Sequence, residues 1–317
     1  MEPRFSGHET FPLRYGWLNK SVNFMICNEN FRISNNSDVE KAIVQLGVGK
    51  NMVSAIRYWS ESCGIIEVDK GISSQNLSGI GNYLFTTNTN SAAYGETAKD
   101  PYLEKRGTVW LVHFLLNFNE HELTAYRYFF NLSSLQQFDK DKLVQDVESD
   151  ANRLCAKEVK VGSIKKDVDC FLHTYCSKSS ASKKTAKTIS EEHFSSPLSE
   201  LKLIADLGKN HYVALFEERP DLPTEIFVYG LLRFITQTRK SMTASFDSLL
   251  ADQNSPGKIF RLSEKGLGVH LDDAAKKYPS ILKIEDSQGL RQVRVLKQYT
   301  DHHDFFEILD DYYGCEQ

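Results

Sequence analysis

SDVEKAIVQLGVGKNMVSAIRYWSESCGIIEV, residues 37–68, sets the fold class more than any other stretch of this 317-residue chain. Ser37 with Glu40 three residues on has the form of a capping box, so a short helix opens there. Its apolar face is Val39, Ala42, Ile43 and Leu46, and Gly47-Val48-Gly49 makes a tight turn. From Lys50, the residues Met52, Ala55, Ile56 and Trp59 recur at i, i+3, i+4 and i+7, which predicts a second helix burying that stripe. The helix ends at Gly64, and Ile65-Ile66-Glu67-Val68 reads as a strand running to a turn at Gly71. Helix, turn, helix and strand is the winged-helix arrangement of a DNA-reading module. The outward stripe of the second helix would carry Lys50, Asn51, Ser54, Arg57 and Tyr58, residue types that bond phosphates and base edges. Winged helices also serve for protein contact alone, and residues 1–70 balance eight Lys/Arg against eight Asp/Glu.

Upstream lies a second informative stretch, Phe5-Ser6-Gly7-His8-Glu9-Thr10-Phe11-Pro12-Leu13-Arg14, followed by Tyr15-Gly16-Trp17-Leu18. Pro12 suits the first position of a helix, and Thr10 can cap it; the helix would span Leu13 to Cys27. His8 and Glu9, flanked by aromatic anchors, would sit near a helix N-terminus that favours anions. The plainer reading is that Phe5 and Phe11 pin the arm to the core while His8, Glu9 and Arg14 satisfy one another. Adjacent residues on an extended arm point apart. The expectation is therefore that Glu9 pairs with Arg14, and His8 faces a cleft beside Asp100 and Glu104.

The pattern F-S-G-H-E-T-F-x-x-R-x-x-W-L resembles the opening of an uncharacterised bacterial family found in DNA phosphorothioation gene clusters. Further matches are Asp100-Pro101-Tyr102-Leu103-Glu104, Gly107-Thr108-Val109-Trp110-Leu111-Val112-His113, Lys166-Asp167-Val168-Asp169, Ser196-Pro197-Leu198 and Gly289-Leu290-Arg291-Gln292-Val293. The resemblance covers nearly the whole chain and implies a role in DNA modification or defence, with DNA nicking as its activity. The partners it implies are DNA and the ATPase and sulfur-transfer components of such a system. It assigns no catalytic residue.

The middle of the chain reads as helical. Val109 to Leu116 is apolar nearly all round, as in a buried helix, and His113 inside it reads as a hydrogen-bonded core residue or, less simply, a general base. Asp139 to Leu154 is amphipathic. Residues 157–187 hold eight Lys against Glu158, Asp167 and Asp169, a surplus of five in a chain whose net charge is −4. Lys165-Lys166-Asp167-Val168-Asp169 opens a helix there, its first-turn acids suiting the helix dipole, and Ser177 to Ser190 reads as a mobile basic loop. Past Pro197, a strand at Tyr212–Phe216 is expected, with helices at Pro223–Ile235, Phe246–Leu250 and from Glu264. A hairpin of 281–285 with 292–296 then suggests a second wing. The tail from Asp301 has six acids and no Lys or Arg.

The expected architecture is mostly helical α+β, with winged-helix modules at both ends of a helical centre. Its regions are 1–90, 91–195 and 196–317. No apolar run spans a bilayer and no secretion signal opens the chain, so a cytoplasmic protein is expected. The six cysteines form no Cys-x-x-Cys pair, which argues against structural zinc. No P-loop, Rossmann fingerprint, nucleophile signature or zincin pattern is present. DNA cleavage would then call for Mg²⁺ or Mn²⁺ held by carboxylates, with Asp100, Glu104, Asp167 and Asp169 as the candidate ligands. The candidate catalytic set is His8, Glu9, Arg14, Asp100 and Glu104. The candidate DNA contacts are Lys50, Asn51, Ser54, Arg57, Lys165, Lys166 and Arg291. Spacing does not distinguish these carboxylates from ordinary surface ones. A non-enzymatic adaptor that presents DNA to the ATPase and sulfur-transfer partners is the alternative.

Overall fold

The computed structural model describes residues 1–28, 36–69, 74–86, 98–118, 121–176, 195–287, 290–299 and 302–314. The Ser177–Ser190 loop with its four lysines and the turns at Gly71 and Gly289 lie outside them. The chain forms two compact units: residues 1–109, 121–126 and 135–214, and residues 110–120, 127–134 and 215–317.

The first unit opens with β1 (Glu2–Pro3), which pairs in parallel with β4 (Glu122–Leu123). Helices α1 (Trp17–Asn28), α2 (Asn36–Leu46) and α3 (Lys50–Ser62) follow, then the antiparallel hairpin of β2 (Ile66–Asp69) and β3 (Ser74–Leu77), then α4 (Gly79–Phe85). Helix α1 starts four residues later than the sequence suggests, because Gly16 has φ +74°, outside the helical region. Ala42 and Leu46 of α2 and Ala55, Ile56 and Trp59 of α3 are buried as the 3.6-residue periodicity expects, whereas Val39, Ile43 and Met52 of the same stripes are only half-buried and Val53 is buried where Met52 was expected. Tyr58 departs from the expected outward stripe: it is buried under the arm.

Helix α5 (Arg106–Asn117) and the single turn α6 (Ala125–Arg127), which runs into a π-helical turn at Tyr128–Leu132, come next. The first unit then continues with β5 (Gln137–Asp139), α7 (Lys140–Leu154), α8 (Val161–Tyr175), β6 (Ala205–Gly208) and β7 (His211–Val213). The centre of the chain is thus not purely helical, since these strands form an antiparallel sheet in the order β5-β7-β6. The strand expected at Tyr212–Phe216 corresponds to β7, two residues of which it covers, whereas β5 and β6 are too short to register in sequence. Helix α8 opens at Val161, earlier than expected, which moves Asp167 out of the first turn and into the core. Edge-to-face contacts of Tyr126 with Trp59 (5.4 Å) and Phe171 (5.4 Å) join α3 to α8.

In the second unit, α9 (Thr224–Arg233) precedes β8 (Thr243–Ser245), α10 (Phe246–Ala251), α11 (Pro256–Ile259), α12 (Glu264–Lys277), β9 (Leu282–Ser287) and β10 (Leu290–Val295), and α13 (Phe306–Tyr313) follows. The sheet order is β8-β10-β9, antiparallel throughout. Residues 137–213 and 243–295 therefore share one topology: a strand, two or more helices, and a hairpin whose last strand pairs with the first. His113 is fully buried in this unit, its Nε2 2.8 Å from the Ile259 carbonyl oxygen, and burial pulls its pKa down to about 3. It is a core histidine, not a solvent-accessible base. Among the described residues, no helix is long and apolar enough to cross a membrane.

Candidate functional site

The N-terminal arm is held first by backbone. The Glu2 N–H donates to His121 O (2.8 Å) and the Arg4 N–H to Leu123 O (3.0 Å), and Phe5 is buried. Gly7 then turns the chain at φ +111°, and a Cβ there would stand 2.9 Å from the Tyr58 ring, so the position requires glycine. The Phe11 N–H donates to His8 O (2.8 Å) across Glu9 and Thr10, both left-handed at φ +49° and +63°. This is the φ pattern of a type I′ turn, normally built from Asn and Gly. A glutamate and a β-branched threonine there cost about 1–2 kcal/mol each. The surroundings fix that strain, as the next contacts show.

His8 is 2% exposed, wedged between α3 and α8. Its ring meets Tyr58 edge-to-face at 5.3 Å. Nδ1 accepts the Thr10 N–H (3.0 Å), which leaves the ring proton on Nε2, 3.1 Å from Asp167 Oδ1 in a contact short of hydrogen-bond alignment. Asp167, fully buried, accepts the Ala125 N–H on Oδ2 (2.6 Å). The Phe11 carbonyl accepts from Trp59 Nε1 (3.0 Å) and from the Cys170 thiol (3.3 Å), so one peptide of the arm ties α3 to α8. Burial raises the Cys170 thiol and Tyr58 phenol pKa values, which keeps both neutral.

His8 and Glu9 do point apart, but with the opposite assignment to the one expected. His8 is the buried anchor and faces neither Asp100 nor Glu104; Glu9 is exposed. Arg14 does not pair with Glu9; its guanidinium stacks on Phe11 and Trp17, 5.3 Å from each ring centroid. Asp100 is 3% exposed and uses both carboxylate oxygens on the Glu104 N–H (2.8 Å) and Lys105 N–H (2.9 Å), closing the turn into α5. Glu104 itself is exposed. Asp169 is taken by Lys140.

Magnesium needs several oxygen ligands converging on one point. Asp100, Glu104, Asp167 and Asp169 do not provide that: two are spent on backbone N–H groups and a third on a lysine. Among the described residues, no group of three His, Cys, Asp or Glu is placed to hold a metal.

Glu9 instead borders an open pocket of about 390 Å³ along α3, lined by Arg4, Ser6, Gly7, Lys50, Ser54, Arg57, Tyr58 and Glu61 among others. Three cations thus surround one cleft. Arg4 bridges Glu61 (2.6 Å) and Glu122 (3.0 Å) and lies over Tyr58. Burial disfavours its charge, but Glu122, Tyr58 and Glu61 outweigh that and raise its pKa. Arg57 donates to Glu61 (2.8 Å). Lys50 and Asn51 are exposed, and Lys50 forms no ion pair with a described residue. Lys50, Ser54 and Arg57 are therefore brought together. Sequence reasoning missed Arg4, which lies just before the arm motif, and Ser6, which lies within it. Arg291 lies elsewhere, in the second unit, paired with Asp272.

The profile of a family described as "Protein of unknown function (DUF4007)" matches residues 5–313. The chain belongs to the DUF4007 family. No curated protein matches it. Two solved structures are similar over nearly all of this DUF4007 chain. A magnesium ion-bound SspB crystal structure has a TM-score of 0.79 at 25% identity, covering 99% of this chain and 89% of its own. An SspB crystal structure has a TM-score of 0.78 at the same identity and coverage. The family resemblance read from the sequence and the SspB-like fold agree.

Proposed function

We propose that this chain is a DNA-contacting component of a bacterial phosphorothioate modification or defence system, and that the exposed face of α3 meets the DNA backbone. The observation that carries this is the cleft along α3. Arg4, Lys50 and Arg57 converge there with the hydroxyls of Ser6 and Ser54, beside Glu9 and the Glu61 that orients both arginines, around a strained arm. Cations beside hydroxyls are the usual partners of phosphate oxygens. Helices α2 and α3 followed by the β2–β3 hairpin support reading this part of the chain as a winged helix, and 243–295 supports a second one. The other components of the system, an ATPase and a sulfur-transfer enzyme, are its proposed partners, in the cytoplasm.

A second reading, DNA nicking with Mg²⁺ or Mn²⁺, is favoured by the magnesium-bound SspB neighbour. Because the four expected carboxylates do not assemble, no catalytic step is assigned to them here. Incubating the purified protein with supercoiled plasmid and Mg²⁺ or Mn²⁺, with and without EDTA, separates the two. Conversion to open circles that EDTA abolishes supports nicking; retarded but intact plasmid supports an adaptor that presents DNA to its partners. Plasmid that is neither bound nor cut contradicts both.

A further inference from the structure

The topology shared by residues 137–213 and 243–295 invites a comparison of the two long helices in matching positions, α8 and α12. On α12, every cation of the exposed surface is answered. Lys265 pairs with Glu218, Lys276 lies near Asp273, and Arg291 of the adjacent strand holds Asp272. On α8 the reverse holds. Its two acids are withdrawn, Asp167 into the core against His8 and Asp169 onto Lys140. Lys157 and Lys160 before the helix and Lys165 and Lys166 on it are all exposed, and none pairs with a described residue. Glu158 is the one exposed carboxylate among them. Four exposed lysines without an ion-pair partner among the described residues, in a protein of net charge −4, form a local positive field.

We infer that the exposed side of α8 is a second contact for the phosphate backbone of duplex DNA, separate from the cleft along α3. The partner is set by the chemistry: lysine ammonium groups on flexible stems meet phosphates as point charges and read no sequence. Asp167 has a part in this without touching DNA. Its burial against His8 and the Ala125 N–H fixes the rotation of α8 and so keeps Lys165 and Lys166 outward. The inference rests on the DNA-contact reading above, and the experiment is arranged so that the two can fail separately.

Binding of the full chain to a labelled random-sequence duplex is measured by anisotropy over a range of salt concentrations. Lys165→Gln/Lys166→Gln is compared with Lys50→Ala/Arg57→Ala and with Lys276→Gln on α12. The α8 variant should weaken binding roughly tenfold or more, and lower the slope of log K against log salt by about two counterions. Its melting temperature should be unchanged, because both side chains are solvated. Lys276→Gln should alter neither slope nor affinity. If the α8 variant keeps wild-type affinity and slope while the α3 variant loses both, the second contact is refuted and the α3 reading stands; the α8 face then serves another partner, such as an acidic protein. A loss in the α8 variant that Lys276→Gln reproduces would also refute it, showing an effect of net charge. Absence of salt-dependent binding by the wild type would overturn both readings.

Discussion

Replacing His8 with alanine takes three things from the first unit: the acceptor for the Thr10 N–H, the edge-on contact with Tyr58, and the imidazole that faces the Asp167 carboxylate. The last matters most. Asp167 is fully buried, and a buried charge deprived of its partner costs about 3–5 kcal/mol. The lower end applies, because an imidazole whose Nδ1 accepts presents a polar N–H to Asp167, not a full charge. The ring contact adds about 1 kcal/mol. Freed from its anchor, the strained Glu9-Thr10 turn can relax in part and return about half of its strain, about 1–2 kcal/mol. The net loss is about 2–3 kcal/mol. At about 2–4 °C per kcal/mol for a unit of this size, the first unit should melt about 4–12 °C lower. Scanning calorimetry of His8→Ala beside Glu9→Gln tests this. Glu9 is exposed, so Glu9→Gln should stay within about 0.5 kcal/mol of wild type. A His8→Ala protein that melts with the wild type would refute the anchoring role, and a Glu9→Gln protein that melts well below it would restore the opposite assignment.

Three further outcomes follow from the same geometry. Gly7→Ala should destabilise by about 1–3 kcal/mol through its φ of +111° and the 2.9 Å approach to Tyr58, read as a fall in denaturation midpoint. Asp100→Ala should cost about 1–2 kcal/mol by freeing two backbone N–H groups; a loss of function with unchanged stability would instead favour a catalytic Asp100. His113 is held neutral with its pKa lowered to about 3, so below pH 6.5 the unfolded chain binds a proton that the folded chain refuses. Stability should therefore fall as pH drops from 6.5 toward 3, by up to about 1.4 kcal/mol per pH unit, and His113→Gln should flatten that part of the curve even though it is less stable overall.

Much of the fold was legible where periodicity runs long. Ala42, Leu46, Ala55, Ile56 and Trp59 are core as their spacing implies, whereas Val39, Ile43 and Met52 of the same stripes are only half-buried. Of the sheet β5-β7-β6 only β7 was legible, as the strand expected at Tyr212–Phe216; β5 and β6 were not. Its strands have three or four residues, and β5 meets β7 across more than seventy residues of chain, a pairing that no local pattern encodes. The arm shows a different limit. That His8 and Glu9 diverge follows from their adjacency, but which of them goes inward depends on Asp167, 159 residues away. A carboxylate in a sequence looks alike whether it caps a turn, as Asp100 does, answers a lysine, as Asp169 does, or lies buried, as Asp167 does. Only tertiary partners separate these, which is why the expected metal quartet dispersed while Lys50, Ser54 and Arg57, neighbours on one helical stripe, stayed together.

The cleft along α3 is tested most directly by the salt dependence of duplex binding in the Lys50→Ala/Arg57→Ala protein. If the cleft meets phosphates, the double variant should keep its fold, bind more weakly, and show a slope of log K against log salt smaller than wild type by about two counterions. A double variant with wild-type affinity and slope would contradict the account and leave α3 as a surface for protein contact.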